Sequence, residues 1–573
     1  MNMKSKWIIS CMSGLLAISA LFASSPLEGA WNPPVFVSPI NMVGVGRPEG
    51  GQLDVNLQNQ GVVVFSADSL LPNQSGPRFT TIYSAAYTFG SGWSLPVRIS
   101  SAEEIIFPPA RPKYFSQGDP VVAMNNSGYC VAAWEGNLNT LPDGITFDVI
   151  ITNIRSSDGT WSTVQIASEI SEEVDVENPF VAVNDAGLAV MVWPQFDNNL
   201  GTTTMASFLP FGGAWTTPVE LDNYGFQGNG QKTPRVSIDP SGNVVASWEI
   251  ATQTSSLEIH AATYNASTGL WTVVVLDSAP NNFSYTYNAI DPNGNGVVTW
   301  TKEVPGNLFQ VMSSFFTFGS GWSTPVAISA ANLSSSDANV TIDSSGNATA
   351  TWGNLFVEDN VQIREVYASR KPFGGNWSTP QRISIPGISS IVDNGLVSRT
   401  IDVDNEGNVI TLLSIGRQED LQSVFYSIQT GWQLPLSIDA PSSVYGNIGL
   451  GLCGFALSEW FDTSAGEELN RVKAADNFAA GILQAPMNLT AQTCCDKFAT
   501  QKRCYNVLSW DDLTTCISEY RIYRNGVLIA QILAGQNTTF EDPICGKRTP
   551  AVYSLTYVNI YGIESPSISV TVN

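Results

Sequence analysis

Histidine is almost absent from this sequence: His260 is the only one in 573 residues. A single histidine excludes histidine-rich metal sites, and any Ser–His or Cys–His mechanism would have to use it. It lies in the strand-like segment LEIHAATY, with no nucleophile motif nearby. The glycine patterns that bind dinucleotides or nucleotide phosphates are absent too. We therefore expect no cofactor, no metal site and no catalytic role for this histidine.

Positive charge is also scarce. Asp and Glu number 50 against 26 Lys and Arg, which gives a formal net charge of −24. This balance argues against nucleic acid or an anionic membrane as the general partner. Charged residues are only 13% of the chain and hydrophobic ones 43%, enough for sizeable cores. A chain of 573 residues is too long for one ordinary core, so we expect several domains or a repeat array.

The N-terminus has the features of an export signal. Lys4 and Lys6 precede the apolar stretch 7–23, and the small residues of SSPLEGA follow. We expect a signal peptide over residues 1–23, with cleavage after Ala23 or as late as Ala30. A retained membrane anchor is the alternative, although the stretch is short for a span, and no later segment is long and apolar enough for one. The sequence thus predicts an exported protein, secreted or held at the cell surface or in the periplasm.

One dozen residues recur along the chain. SIDPSGNVVASW (237–248) returns as AIDPNGNGVVTW (289–300) and as TIDSSGNATATW (341–352). Each copy predicts a hairpin: a strand, a D-x-x-G-N turn and a returning strand. We interpret the turn residues as structural, because one carboxylate per turn falls short of a calcium loop. The eight copies, two of them degenerate, have their glycines at Gly61, Gly128, Gly187, Gly242, Gly294, Gly346, Gly407 and Gly454.

A second motif alternates with the first, as in FGSGWSTPV at Trp322 and FGGNWSTPQ at Trp377. It predicts another hairpin, and its second strand should lie at a sheet edge because proline cannot donate to a strand ladder. Two hairpins per repeat make a four-stranded unit, which is one blade of a β-propeller. The motif also occurs at Trp93, Trp215 and Trp432, and without its proline at Trp161 and Trp271.

The two ends of the array complement each other. No W-x-x-P-V strand follows the eighth hairpin, near Trp460, whereas WNPPVFVS (31–38) supplies one at the N-terminus. We therefore predict that the N-terminal strand completes the last blade and closes a ring over residues 31–483. The expected fold is all-β: an eight-bladed β-propeller, or a seven-bladed one if a degenerate copy is not a full blade.

After ILQAP the repeat stops, and residues 486–573 resemble a fibronectin type III domain. The resemblance is carried by APMNLTA, by NVLSW with Trp510, and by YSLTYVNIYGIESPSISVTV. It covers the whole segment and implies a β-sandwich with Trp510 in its core. The family serves as spacer, adhesion or docking modules, so the resemblance implies no specific function.

Cysteines crowd this C-terminal segment. In an exported protein they predict disulfides, two bridges with one thiol left over. A zinc site is the alternative, but the segment has neither a C-x-x-C pair nor a histidine. We expect Cys130 and Cys453, on propeller strands, to be buried thiols. The disulfide candidates are Cys494, Cys495, Cys504, Cys516 and Cys545.

The longest connections should lie together on one face of the ring. Both hairpin turns of a blade fall on one face, so the connections from second to third strand and from blade to blade fall on the other, where we expect long loops. Binding usually resides in such loops, and their aromatic residues can stack on sugars, anchor a protein or simply seal the loops. The candidate ligand-binding residues are Phe107, Tyr114, Phe115, Phe196, Tyr224 and Phe226. The nearby carboxylates are Glu103, Glu104, Glu172, Glu173 and Asp175.

These features favour a non-catalytic recognition or adhesion protein that binds glycan or an extracellular protein through the long-loop face. A carbohydrate-active hydrolase or lyase that uses loop carboxylates is the alternative, and a structural envelope component is a third. Two carboxylates facing each other at catalytic separation would favour the enzyme.

Overall fold

Strands dominate the described part of the chain. In the computed structural model the regular elements of the described residues are strands, apart from one short 3₁₀ turn at Leu452–Gly454. No helix long and apolar enough to cross a membrane occurs among the residues that the structure describes. The expected signal peptide, residues 1–23, lies outside them. The described residues are 31–38, 53–68, 80–100, 117–140, 145–171, 174–197, 201–223, 234–251, 257–279, 283–306, 308–358, 361–385, 397–415, 420–428, 430–439, 443–462, 464, 471–478, 485–498, 501–511, 516–543, 550–560, 562 and 564–572.

Residues 35–478 contain eight antiparallel sheets, which we number 1 to 8 in chain order. The first strand of the chain, β1 (Val35–Phe36), belongs to sheet 8. Sheet 1 comprises β2 (Leu53–Val55), β3 (Gln60–Asp68), β4 (Thr80–Thr88), β5 (Gly92–Trp93) and β6 (Val97–Arg98). Sheet 2 comprises β7 (Gln117–Met124), β8 (Cys130–Thr140), β9 (Ile145–Arg155) and β10 (Gln165–Ile166). Sheet 3 comprises β11 (Val174–Val176), β12 (Phe180–Val183), β13 (Ala189–Asp197), β14 (Gly201–Leu209) and β15 (Val219–Asn223). Sheet 4 comprises β16 (Arg235–Ile238), β17 (Val244–Ala251), β18 (Leu257–Asn265) and β19 (Leu270–Ala279).

The second half of the array repeats this plan. Sheet 5 comprises β20 (Phe283–Ile290), β21 (Gly296–Val304), β22 (Leu308–Thr317), β23 (Gly321–Trp322) and β24 (Val326–Ala327). Sheet 6 comprises β25 (Ser334–Ile342), β26 (Ala348–Glu358), β27 (Val361–Lys371) and β28 (Gln381–Arg382). Sheet 7 comprises β29 (Val397–Val403), β30 (Val409–Ile415), β31 (Asp420–Ser427), β32 (Gly431–Trp432) and β33 (Leu436–Asp439). Sheet 8 comprises β34 (Ser443–Leu450), β35 (Phe455–Asp462), β36 (Arg471–Phe478) and β1.

The sheets form a closed ring, the arrangement of a β-propeller. One strand near the start of each sheet contacts the corresponding strand of the next sheet. The series runs through β2, β7, β12, β16, β20, β25, β29 and β34, and β34 contacts β2 again. In sheet 8 the outer position is taken by β1, which pairs with β36 through Val35↔Ala474 and Phe36↔Lys473. The N-terminal and C-terminal parts of the array therefore share one sheet.

The D-x-x-G-N turn ties the two hairpins of a sheet together. In sheet 5 the Asp291 carboxylate accepts hydrogen bonds from the backbone N–H of Asn295 at 2.9 Å and from the Asn295 side chain at 2.9 Å. The side-chain oxygen of Asn295 accepts from the N–H of Phe318 in the second hairpin, at 3.0 Å. Gly294 has φ of 82°, and a Cβ there would lie 2.8 Å from the Phe318 ring. The Asp, Gly and Asn of the motif thus each have a structural role.

The tryptophans of the first motif fill the joints between neighbouring sheets. In sheet 5 Trp300 is completely buried, and its indole N–H donates to Asp277 of sheet 4 at 3.1 Å. The same bond joins Trp248 to Asp222 at 2.7 Å, between sheets 4 and 3. Each sheet therefore covers the open face of the one before it.

The second motif forms the outer edge of the sheets. In sheet 5 the outer strand is interrupted at Pro325 and continues as two short pieces, β23 and β24. The hydroxyl of Ser323, next to the motif tryptophan, accepts a hydrogen bond from the N–H of Phe315 on β22 at 3.0 Å. A side chain thus replaces one rung of the ladder where the proline ends regular pairing.

The expectation that every connection from second to third strand is long was wrong for sheets 3, 5 and 6. In sheet 3, Asp197 pairs with Gly201, so Phe196 lies on a paired strand and not in a long loop. The strand β21 ends at Val304, which pairs with Leu308 at the start of β22. In sheet 6, Glu358 pairs with Val361. These are tight reversals, because the two strands keep their pairing to the end of the sheet.

The C-terminal segment forms two sheets that pack face to face. Its strands are β37 (Thr490–Phe498), β38 (Gln501–Ser509), β39 (Ile517–Arg524), β40 (Val527–Leu533), β41 (Thr539–Asp542), β42 (Ala551–Asn559) and β43 (Ile568–Val572). One sheet has the order β37-β38-β41 and the other β40-β39-β42-β43. Their shared core contains Trp510, Tyr520 and Tyr553, and Trp510 is 3% exposed.

Two disulfides are present among the described residues. Cys495 is bonded to Cys504, directly across the β37–β38 pair. Cys516 is bonded to Cys453, which joins the C-terminal sandwich to sheet 8. The expectation that Cys453 is a buried thiol on a strand was wrong, because it lies in the 3₁₀ turn that replaces the D-x-x-G-N sequence in sheet 8. Cys130 is buried in β8 as a thiol, and the half-buried Cys494 has no disulfide within the described part of the chain. The last candidate, Cys545, lies outside the described residues.

The Cys453–Cys516 bond should act as a covalent tether between ring and sandwich. A protease site introduced between Phe478 and Met487 should be cut without releasing the C-terminal domain on a non-reducing gel, and reduction should then release it. The matched double variant C453S/C516S should release the domain without reduction, while C495S/C504S should keep it attached. Release of the C-terminal domain without reductant from a cut protein that keeps all its cysteines would contradict the Cys453–Cys516 bond.

Candidate functional site

Most of the sequence-predicted site lies outside the described residues. This applies to five of the six aromatic candidates and to four of the carboxylates: Phe107, Tyr114, Phe115, Tyr224, Phe226, Glu103, Glu104, Glu172 and Glu173. Phe196 is described near the end of β13, where it is half-buried and pairs with Asp175 on β11. The long-loop binding face thus stays a prediction, with Phe196 and Asp175 as its two described members.

Carboxylates gather beside Phe196, between sheets 2 and 3. The side chain of Asp175 is hydrogen-bonded to Asp148 on β9, and burial followed by the neighbouring charge of Asp148 raises the pKa of Asp175 to about 6. Burial, followed by the charges of Asp119 and Glu177, raises the pKa of Glu135 to about 7. The carboxyl group of Asp175 therefore keeps its proton to a higher pH than an ordinary aspartate does.

This aspartate pair does not have the geometry of a glycosidase. Retaining and inverting glycosidases hold their two carboxyl groups about 5 Å or more apart, so that the sugar or a water fits between them. Asp148 and Asp175 are in direct hydrogen-bond contact instead. The pair therefore lacks the separation that either glycosidase mechanism requires.

His260 lies in a buried joint rather than in a cleft. It is 2% exposed on β18, with Nδ1 at 3.2 Å from Asp222 and Nε2 at 3.0 Å from Glu258. Both ring nitrogens lie within ion-pair distance of carboxylates, an arrangement that favours the doubly protonated imidazolium. Burial lowers the pKa of His260, but the bonds with Asp222 and Glu258 outweigh burial, and the net pKa is raised. The histidine is thus a buried counter-ion for Asp222, whose carboxylate also accepts a hydrogen bond from the indole N–H of Trp248.

Lysines occupy the corresponding place in two other joints. Lys302 binds Asp277 at 2.6 Å beside Trp300, and Lys473 binds Asp439 at 3.1 Å beside Trp460. The motif of an aspartate, an indole N–H and a cation thus recurs at three places in the ring. This recurrence assigns His260 to the architecture.

Two adjacent clefts open on the turn side of sheets 4, 5 and 6. Cleft A lies between sheets 4 and 5, with a volume of about 450 Å³, and cleft B lies between sheets 5 and 6, with about 730 Å³. Both volumes fall within the roughly 300–1,000 Å³ typical of small-molecule sites. Gly321 and Trp322 line both clefts, so the two are separated by one tryptophan side chain.

The clefts combine aromatic surfaces with neutral hydrogen-bonding groups. In cleft A the aromatic lining is Tyr264, Phe316, Phe318 and Trp322, and the polar lining is Asn243, Thr263, Asn265 and Thr272. In cleft B the aromatic lining is Phe315, Trp322, Phe373 and Trp377, and the polar lining includes Ser320, Ser323, Thr324, Lys371 and Asn376. Aromatic faces beside amides and hydroxyls suit a ligand that has both apolar faces and hydroxyl groups.

Sequence reasoning had found these tryptophans but not the clefts. Trp322 and Trp377 belong to the second motif, whose role was interpreted as edge formation alone. A signal was available, because sheets 5 and 6 are consecutive and both have the full F-G-x-x-W-S-T-P sequence. Within the described ranges, no group of three or more His, Cys, Asp or Glu side chains is arranged to hold a metal ion.

Comparison with known proteins gives distant structural likeness only. No protein-family model matches the sequence, and no curated protein matches it. The chain is similar to an ulvan lyase of a polysaccharide lyase family, with 10% identity over 77% of this chain and 95% of that one and a TM-score of 0.40. It is also similar to the BP39L lectin from Burkholderia pseudomallei, with 11% identity over 71% of this chain and 100% of that one and a TM-score of 0.38. An α-L-arabinanase from Penicillium chrysogenum matches with 12% identity over 52% and 92% of the two chains and a TM-score of 0.34. Likeness at this level assigns neither ligand nor reaction.

The charge on His260 should make the stability of the ring depend on pH. Because the pKa in the folded protein is above the ordinary value of 6.5, the stabilising contribution is fully present below about pH 6.5 and is lost as the pH rises through the folded pKa. The contribution of a buried charged hydrogen bond is roughly 2 kcal/mol. The variant H260Q, measured by urea unfolding from pH 5.5 to 9, should differ most from wild type at the acidic end. A difference that is constant across this range would show that folding does not raise the pKa of His260.

Proposed function

We propose that this chain is an exported recognition protein that binds glycan without cleaving it. In this proposal the eight sheets are eight blades of a propeller that β1 closes, and residues 486–573 are a fibronectin type III-like domain held to the ring by Cys453–Cys516. Two disulfides suit an oxidising compartment outside the cytoplasm. The tail would serve as a spacer or dock, and the ring would carry the binding surface.

The pair of clefts around Trp322 is the observation that carries the proposal. A sugar ring has apolar C–H faces and a rim of hydroxyl groups, so it is matched by an aromatic face with amides and hydroxyls around it. Both clefts offer this combination, and Trp322 borders each of them. An oligosaccharide that follows the ring from sheet 4 to sheet 6 would contact one aromatic surface after another.

This proposal moves the binding surface from the long-loop face to the turn side. The described carboxylates on the long-loop side, Glu135 and Asp175, have raised pKa values because of burial and of the nearby negative charges of other carboxylates. Such groups are poor hydrogen-bond acceptors for sugar until they lose their protons. Apart from Lys371 in cleft B, the polar groups of the clefts are neutral and bind in the same way at any moderate pH.

A carbohydrate-active enzyme is the second candidate function. The observation in its favour is Glu135, because a carboxyl group whose pKa is about 7 suits general-acid work. Against it stands the direct contact of Asp148 with Asp175, which leaves no space for substrate between them. The variant E135Q separates the two functions, since it would abolish turnover in an enzyme and leave binding in clefts A and B intact.

The first test is binding of residues 31–573 to a glycan array, with the eluates analysed for cleaved product. We expect saturable binding, no product, and a loss of about tenfold or more in W322A, because both clefts lose their shared wall. The matched control is W432A. Trp432 occupies the same motif position in sheet 7 and packs on Tyr426 at 5.2 Å, as Trp322 packs on Phe316 at 5.3 Å, so both variants should lose similar stability.

Each other result would favour a different function or a different binding site. Product that disappears in E135Q would establish the enzyme. Binding that survives W322A but is lost in F196A would return the site to the long-loop face. A chain that binds no glycan but is retained in the cell envelope would be a structural component, and the proposal would then be wrong.

A further inference from the structure

Cleft B has a cation on its wall. Lys371 is the last residue of β27, half-buried, with its Nζ 4.3 Å from the centroid of the Phe315 ring. Burial lowers the pKa of Lys371. Among the residues that the structure describes, no carboxylate lies within salt-bridge distance of Nζ, and cleft B has no other charged side chain in its lining. The ammonium group therefore faces the cavity with only an aromatic ring beside it.

Several partly buried cations of the ring are paired with carboxylates, whereas the buried Arg235 lies over the rings of Phe180 and Tyr287. Lys302 binds Asp277 at 2.6 Å, Lys473 binds Asp462 at 2.8 Å, and Arg382 binds Glu365 at 2.9 Å. Acidic residues outnumber basic ones 50 to 26, so a partner for each base is easily supplied by the chain. An unpaired, partly desolvated ammonium is costly unless something neutralises it.

Cleft A differs from cleft B in the charge of its lining. Its lining is made of aromatic, aliphatic, amide and hydroxyl groups, and no charged side chain is among them. A ligand that spans Trp322 would therefore meet a neutral pocket on one side and a positive one on the other. We infer that cleft B binds the anionic group of an acidic saccharide, while cleft A holds a neutral part of the same chain.

This inference rests on the proposed glycan binding and specifies its ligand class. The charge-assisted hydrogen bond from Nζ would go to a carboxylate or sulfate oxygen on the sugar, with the ring seated against Trp322 or Trp377. The overall charge of −24 repels anions at a distance. Recognition therefore depends on the local contact with Lys371 and not on long-range attraction.

Isothermal titration with three tetrasaccharides tests the ligand class. The probes are tetragalacturonate, its methyl ester, which has the same shape without the charge, and a sulfated galactan tetrasaccharide. Wild-type protein should bind one of the two anionic probes about tenfold or more tighter than the methyl ester. Whichever of the two binds identifies the source of the anionic group, a uronate or a sulfate. The preference should shrink between 50 and 500 mM NaCl, because salt screens the contact.

Substitution of Lys371 tests the residue. The variant K371M keeps the alkyl stem over Phe315 and should bind the anionic probe and the methyl ester with equal affinity, while K371R should keep the preference. The variant R503Q removes one positive charge from an exposed position of the C-terminal domain and should behave as wild type.

The failures of the two proposals are distinguishable. Equal binding of charged and neutral probes by wild type, or a preference that persists in K371M, would overturn the acidic-ligand inference and leave glycan binding standing. Absence of binding to all three probes and to the wider array would overturn both. Circular dichroism and thermal unfolding of each variant separate loss of the contact from loss of the fold.

Discussion

The joint between neighbouring sheets is the contact on which the ring depends. A sheet of four or five strands cannot cover its own two faces, so each face is buried by the next sheet. At the centre of a joint lies a tryptophan such as Trp248 or Trp300, completely buried and bonded through its indole N–H to an aspartate of the preceding sheet. Truncation of a buried tryptophan typically costs about 3–5 kcal/mol. Because each joint needs two complete sheets, closure by β1 in sheet 8 secures the joints on both sides of it.

The same joints determine where ligand can enter. Toward the middle of the ring the space between neighbouring sheets is filled by the tryptophans of the first motif, such as Trp248 and Trp300. At the outer edge the strand is interrupted by proline, as between β23 and β24, and regular pairing ends. Between sheets 4, 5 and 6 this edge leaves clefts A and B, and the tryptophans of the second motif stand along them. The element that weakens strand pairing is thus also the one that exposes aromatic surface.

The ring was largely predictable because its signals are local and repeated. A D-x-x-G-N turn specifies a hairpin by itself, and the incomplete last repeat together with WNPPVFVS indicated how the ends meet. The Cys453–Cys516 bond was not predictable, because it spans 63 residues and depends on where the sandwich lies against sheet 8. The available hint was that sheet 8 has a cysteine where other sheets have the turn motif. The clefts were not predictable for another reason. The sequence around a second-motif tryptophan is the same whether the neighbouring sheet fills the space beside it or leaves a cleft there.

Because the sheets repeat, a cation at one joint can be compared with the cations at other joints. The comparison separates structural cations from those available to a ligand. His260, Lys302 and Lys473 are cations at equivalent joints, and each is compensated by an aspartate that also holds a tryptophan. Lys371 is a cation outside that pattern, on the wall of cleft B, with its Nζ 4.3 Å from the centroid of the Phe315 ring. Foldable sequences satisfy each local rule except where function requires a departure. Three joints show this compensation, whereas Lys371 has no such aspartate among the described residues, and its place on the wall of cleft B is where a ligand would complete the structure.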